Sequence, residues 1–307
     1  MKSLSGELFG GILILGAMVI LGLSDNLFYL VESHMGLGQF HAVRSFLSFA
    51  VLVPGAYLLG MKLMPKNWRS VMGRTIFQTI SMFLYFGSLP IMTVAEAAAG
   101  LFTSPIFVLI FTSVIYREAI GWRRISAVAI GTLGVIFVLQ PGSDGFRFIQ
   151  LMPVAAGAFY AMAAMVTRRW CADEPPLALV SMFLLVIGST GTIAAISFNI
   201  TPVSPDLMAL SPFLFKGWAE LDWAIWGWMF LQAVMTLVAI AMMTRGYQIA
   251  DTSYVAIFEY SLLIFASLWT FLLWGQSLNV SSWIGFAMIA GAGIVISRAM
   301  PTTQDSS

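Results

Sequence analysis

The sequence predicts an all-α membrane protein in which ten transmembrane helices form two inverted five-helix repeats, residues 1–148 and 149–307. Three observations lead there. First, 59% of the 307 residues are hydrophobic and only 9% are charged, with a mean hydropathy of +0.90, whereas about a quarter of residues are charged in soluble domains. Second, ten mostly apolar runs, each long enough to cross a hydrocarbon core of about 30 Å, fall at roughly 8–30, 40–61, 70–89, 96–116, 123–140, 151–169, 177–198, 222–243, 251–274 and 281–298. They lack the alternation of barrel strands, which leaves helices as the spanning form. Third, the two halves echo each other.

The first run follows a single basic residue, Lys2. It is longer than a signal-peptide core of about 7–15 residues and similar runs follow it, so it reads as a membrane helix. Orientation follows from Lys and Arg in the connections. With the N-terminus inside, the inner segments hold twelve (Lys2, Lys62, Lys66, Arg69, Arg74, Arg117, Arg123, Arg124, Arg168, Arg169, Arg245 and Arg298) and the outer segments hold two, Arg147 and Lys216. Both termini are therefore expected on the cytoplasmic side of the cell inner membrane. Trp68, Trp122 and Trp170 fall at the inner boundary, and Trp218, Trp223, Trp226 and Trp274 near the outer one, as interfacial anchoring requires. A net charge of +1 gives no case for nucleic acid, and the lone Cys171 excludes an internal disulfide framework.

The fourth and ninth runs carry the echo. A shift of 158 positions lays Leu101 on Glu259 and Glu118 on Gln276, and each stretch precedes a Gly-rich helix, Gly131–Gly134 and Gly291–Gly293. Five helices per half is an odd number, so the halves must have opposite membrane orientations. Secondary transporters use this plan and place the substrate near the midplane, between the repeats. Glycines also serve close helix packing, and that reading stays open.

Several phrases resemble one known family. They are Thr103-Ser-Pro105, Arg117-Glu118 before Gly121-Trp-Arg-Arg124, Gln140-Pro-Gly142, and the stretch ending Gln39-Phe-His-Ala-Val-Arg44. The chain is similar to the drug/metabolite transporter superfamily in its ten-helix EamA form, over nearly its whole length. Phe258-Glu-Tyr260 and the Thr103 phrase look most like the group that includes S-adenosylmethionine and riboflavin carriers. Gln276 departs from the glutamate often seen at that loop position in the family.

Glu259 is the one ionisable group in the apolar part of the ninth run. Such groups usually face a bundle interior or an aqueous cavity. Eight residues from Asp251, it lies about 12 Å along a helix, near mid-membrane. Thr252, Ala256, Glu259, Leu263, Ala266 and Thr270 share its face. It is a candidate contact for a cationic or zwitterionic substrate and a candidate proton-coupling group; the alternative is a glutamate that locks helices together. The third run offers a stripe of Gln78, Ser81, Tyr85 and Ser88; the fourth adds Glu96, Gly100 and Thr103, the sixth Tyr160 and Thr167, and the eighth Gln232 and Thr236. Asp25 and Asn26 on the first run match Arg44 in depth, so Asp25 and Arg44 are expected to pair or to meet substrate charges. Phe102, Tyr85, Tyr160 and Tyr260 suit stacking on a planar substrate or plain core packing. Pro105 is expected to bend its helix. His34 and His41 have no Cys or carboxylate at ligand spacing, so no metal site is expected.

The expected function is a secondary transporter of a small organic metabolite, cationic or zwitterionic, working by alternating access as a monomer or homodimer. Its partners are that substrate and the lipid bilayer, with no cofactor. No Gly-x-x-x-x-Gly-Lys-[Ser/Thr] sequence is present. The alternatives are an exporter of broad specificity and an intramembrane enzyme. For an enzyme, the adjacent Asp173 and Glu174 are the available carboxylates, and beside Arg168 and Arg169 they read as a solvated connection.

Overall fold

The computed structural model describes residues 4–116, 122–139, 147–249 and 258–299, all helix and connection with no strand among them. The helices are α1 (Leu4–Asn26), α2 (Leu37–Leu58), α3 (Trp68–Ser88), α4 (Val94–Leu101), α5 (Ser104–Tyr116), α6 (Trp122–Leu139), α7 (Met152–Trp170), α8 (Pro176–Ile200), two short turns α9 (Pro205–Leu210) and α10 (Pro212–Phe215), then α11 (Trp223–Ile249), α12 (Ser261–Trp274) and α13 (Val280–Ala299). Arg117, Glu118, Gly121, Gln140 to Gly142, Asp251, Thr252 and Ala256 lie outside the described residues.

Six helical stretches are long and apolar enough to cross a membrane: Leu8–Leu30, Leu37–Leu58, Val94–Ile115, Phe148–Trp170, Pro176–Ile200 and Trp223–Gly246. Ala129–Leu139, Ser261–Trp274 and Val280–Ala292 are apolar but shorter. α3 has the length, yet Arg69, Arg74, Gln78 and its hydroxyls make it the most polar of the long helices. Trp68, Trp122, Trp170 and Trp223 are exposed at helix ends, as expected of interfacial anchors.

Hydrogen-bonding side chains start several helices. Asn67 accepts from Ser70 N–H at the head of α3, and Ser204 from Leu207 N–H at α9. At α4, Thr93 and Glu96 form a reciprocal capping box. Glu96, expected to face an interior, is thus taken up by the helix start.

The bundle is built from pairs: α6 on α13, α3 on α7, α1 on α11 and α2 on α8, with α12 on α1 and α4, and both α4 and α5 on α7. Small residues set these approaches. A Cβ added to Gly38 would lie 2.5 Å from the Gly191 carbonyl oxygen, and one added to Gly191 would lie 2.4 Å from that of Gly38. At α6 on α13, a Cβ on Gly285 would lie 2.5 Å from the Gly134 carbonyl oxygen. The backbones themselves touch, the contact that small residues allow between membrane helices.

One end of the bundle is sealed by aromatic rings. Phe28 meets Phe40 and Phe213 edge to face at centroid distances of 5.6 and 4.8 Å, and Phe40 lies 5.1 Å from Phe86. Gln39 fixes the neighbouring connection, donating to Ala219 O at 2.7 Å and accepting from Ala219 N–H at 2.9 Å. At the far ends of α2 and α7, both Glu174 carboxylate oxygens accept backbone N–H groups, from Lys66 and Asn67, at 2.7 Å each. Glu174 is buried, so the expectation of a solvated loop is corrected. Next to an arginine pair the charge looked free, but two amide donors hold it.

Gly38→Val forces the α2 and α8 backbones apart. Overpacking of this kind costs about 1–3 kcal/mol, and the detergent-solubilised variant is expected to unfold at clearly lower temperature. Gly55→Ala, with nothing within 4 Å of its new methyl, should leave the transition unmoved.

Candidate functional site

The fourth span is interrupted. α4 ends at Leu101, Phe102 and Thr103 form a turn, and α5 begins at Ser104. Thr103 Oγ1 donates to the Gly100 carbonyl at 2.7 Å, diverting an acceptor that a continuous helix would use. Pro105, in the first turn of α5, lacks an N–H to complete a continuous helix. The expected bend is therefore a break, two residues before the proline. α12 starts in the same manner. Tyr260 is a turn residue after helical 258–259, and Ser261 Oγ donates to the Phe258 carbonyl at 2.6 Å. The two interruptions meet: the Phe102 and Tyr260 rings lie 5.2 Å apart, tilted by 48°.

Glu259 is partly buried directly before this turn. Tyr160 of α7 lies within electrostatic range of both Glu259 and Arg74, and Tyr260 within range of Glu259. Tyr160 is 39% exposed although α7 is packed by α3, α4 and α5, so its ring borders open space. Arg74 is held by Thr167 Oγ1 at 3.2 Å and the Leu179 carbonyl at 3.4 Å. The structure thus gathers Phe102, Thr103, Tyr160, Glu259 and Tyr260 and adds Arg74. Arg74 had been counted with the inner connections, but it sits inside α3. The signal was present: Arg74, Gln78, Ser81, Tyr85 and Ser88 continue a single stripe at helical spacing.

A second group lies eleven residues further along α3, about 16 Å at 1.5 Å per residue. Tyr85 donates its hydroxyl to Asp25 Oδ2 at 2.8 Å. Arg44 stacks over Phe86 at 4.9 Å and Phe40 at 5.8 Å from the ring centroids, and donates to Thr236 Oγ1 at 3.0 Å. Asp25 acts on Arg44 through space, but among the described residues the two make no contact-range ion pair. The expected pairing is replaced by two separately held charges, because Tyr85 occupies the carboxylate. Asn26 is absorbed by packing. It donates to the Gly22 and Ala266 carbonyls at 2.8 and 3.1 Å and accepts from Thr270 at 2.7 Å, tying α1 to α12. Gln232 is buried on α11 with its amide nitrogen unpartnered. Gln78 is partly buried one turn from Arg74.

No cluster of three or more His, Cys, Asp or Glu able to hold a metal occurs among the described residues. Residues 8–140 match the EamA-like transporter family. It is 26% identical over 253 residues to a riboflavin transporter of Rhizobium johnstonii, covering 82% of this chain and 78% of that protein. A riboflavin transporter of Brucella anthropi is 25% identical over 233 residues, 70% of this chain and 77% of the relative. An S-adenosylmethionine uptake transporter of Rickettsia prowazekii is 26% identical over 173 residues, 54% and 57% of the two chains. A solved crystal structure shares the fold, with a TM-score of 0.63 at 15% identity over 95% of this chain and 96% of that one.

A side-chain hydrogen bond contributes about 0.5–1.5 kcal/mol net. Tyr85→Phe, which keeps the ring and removes the donor to Asp25, is expected to lower unfolding stability in detergent by that order, read by thermal or denaturant melts.

Proposed function

We propose that this chain is a secondary transporter of the inner membrane that carries a small cationic or zwitterionic metabolite with a flat ring by alternating access. The carrying observation is the meeting of two helix interruptions at Phe102 and Tyr260 beside Glu259. Non-helical backbone at membrane depth is tolerated where protein buries it or a cavity borders it. Transporters use such breaks to form substrate sites. Tyr160 and the ring pair offer faces for a planar group, and Glu259 offers a carboxylate for a cation or a proton. The relatives named for riboflavin and S-adenosylmethionine support a heterocyclic metabolite.

The inverted repeat has support from packing. Phe102 and Tyr260 differ by 158 positions, as do Thr103 and Ser261, and their hydroxyls make equivalent bonds to Gly100 and Phe258, again 158 apart. Gly131 faces Ala292 while Gly134 faces Ile289; the same shift exchanges these two contacts. At the level of helices, exchanging halves sends the α3–α7 pair onto α11–α1 and leaves α2–α8 and α6–α13 unchanged. Ten spans with both termini cytoplasmic follow from this reading and from the Lys and Arg distribution. The enzyme alternative loses support, since Glu174 is engaged by backbone amides rather than free for acid–base work.

Counterflow in proteoliposomes with cationic, zwitterionic and anionic metabolites tests the reading. Wild type should exchange a member of the first two classes, and Glu259→Gln should slow that exchange at least about tenfold or abolish its pH dependence. Unchanged rates and pH profile would remove Glu259 from the site. In cysteine scanning, thiols placed on the α4, α5 and α12 faces around Phe102 and Tyr260 should react with water-soluble maleimide and be protected by substrate; uniform inertness from both sides would overturn the pathway.

A further inference from the structure

Away from the helix breaks, α2, α3, α8 and α11 enclose a cavity of about 60 Å³. Its polar wall is His41, Arg44, Ser45, Ser48 and Thr236, and the rest is apolar, including Leu184 of α8. His41 is 3% exposed, and its Nε2 has no hydrogen-bond partner. A buried polar nitrogen left unpaired is costly, and here it borders the same space as a guanidinium. Arg44 has five N–H donors, and among the described residues Thr236 is the one acceptor bonded to them. Asp25, the nearby carboxylate, is bonded to Tyr85 and does not pair with Arg44 at contact range. The guanidinium lies over the Phe86 and Phe40 rings, 4.9 and 5.8 Å from their centroids, and an arginine so held can meet a carboxylate or phosphate at two points.

We propose that this cavity is an anion subsite, in which Arg44 binds a carboxylate or phosphate group of the transported molecule and His41 Nε2 and Thr236 Oγ1 complete its hydrogen bonds. The apolar walls exclude water and so strengthen the contact. The volume suits one such group and not a whole metabolite, so the remainder of the substrate lies outside it. The subsite thus rests on the transport reading and adds to it that the substrate carries an anionic group as well as the positive one facing Glu259.

Binding can be read without transport, which separates the two ideas. The full-length protein in detergent is titrated with acetate and with inorganic phosphate against chloride at constant ionic strength, following the thermal unfolding temperature. Wild type should show saturable stabilisation by at least one of the two anions over chloride. In Arg44→Gln the half-saturating concentration should rise at least about tenfold, as loss of a charge-assisted contact implies. Arg147→Gln, which changes an exposed arginine, should respond like wild type. If Arg44→Gln does not fold, Thr236→Val and His41→Phe take its place and should each weaken the response. Equal stabilisation of wild type and the cavity variants, or none in wild type, would overturn the subsite. Counterflow of a metabolite lacking any anionic group at full rate would overturn its part in transport while leaving the transporter itself standing.

Discussion

A backbone that leaves the helical path inside a membrane must find new partners for the groups it exposes, and this molecule does so twice by the same device. A hydroxyl three residues on takes the carbonyl, Thr103 to Gly100 and Ser261 to Phe258. Each bond sits at the turn from which the next helix begins. The two turns abut through the Phe102 and Tyr260 rings. Glu259 owes its position to this. Directly before the Tyr260 turn, it is partly buried and within electrostatic range of Tyr160.

Close backbone contacts elsewhere hold this junction in register. The Gly38–Gly191 and Gly134–Gly285 approaches bring helices together with no side chain between them. Such contacts leave no room for side chains between the helices, whereas the two ends are held by other means: the aromatic seal of Phe28, Phe40, Phe86 and Phe213, and the Glu174 latch on the Lys66 and Asn67 amides. One closes by ring packing and the other by charge-assisted hydrogen bonds at opposite ends of the bundle.

Much of the candidate site could be read from spacing. The α3 stripe and Glu259 are visible because residues three and four apart share a face. Other assignments needed neighbours. Arg74 looked like a loop cation because the positive-inside count rewards every arginine near a helix end. Glu96 and Asn26 looked like pathway residues, yet one caps α4 and the other ties α1 to α12. A side chain's spacing gives its face, not whether a carbonyl of the next helix is waiting there.

By itself the sequence determined that this is a helical membrane protein resembling EamA-type transporters over residues 8–140, since hydropathy, run length and family phrases are local properties of the chain. Only the tertiary structure decided which polar groups are spent on holding helices and which still face open space. Asp25 and Arg44 match in depth, but the Tyr85 hydroxyl reaches Asp25 first, and Arg44 is left stacked on Phe86 at the wall of a cavity. That outcome depends on the distances between four helices, and no one-dimensional pattern encodes them.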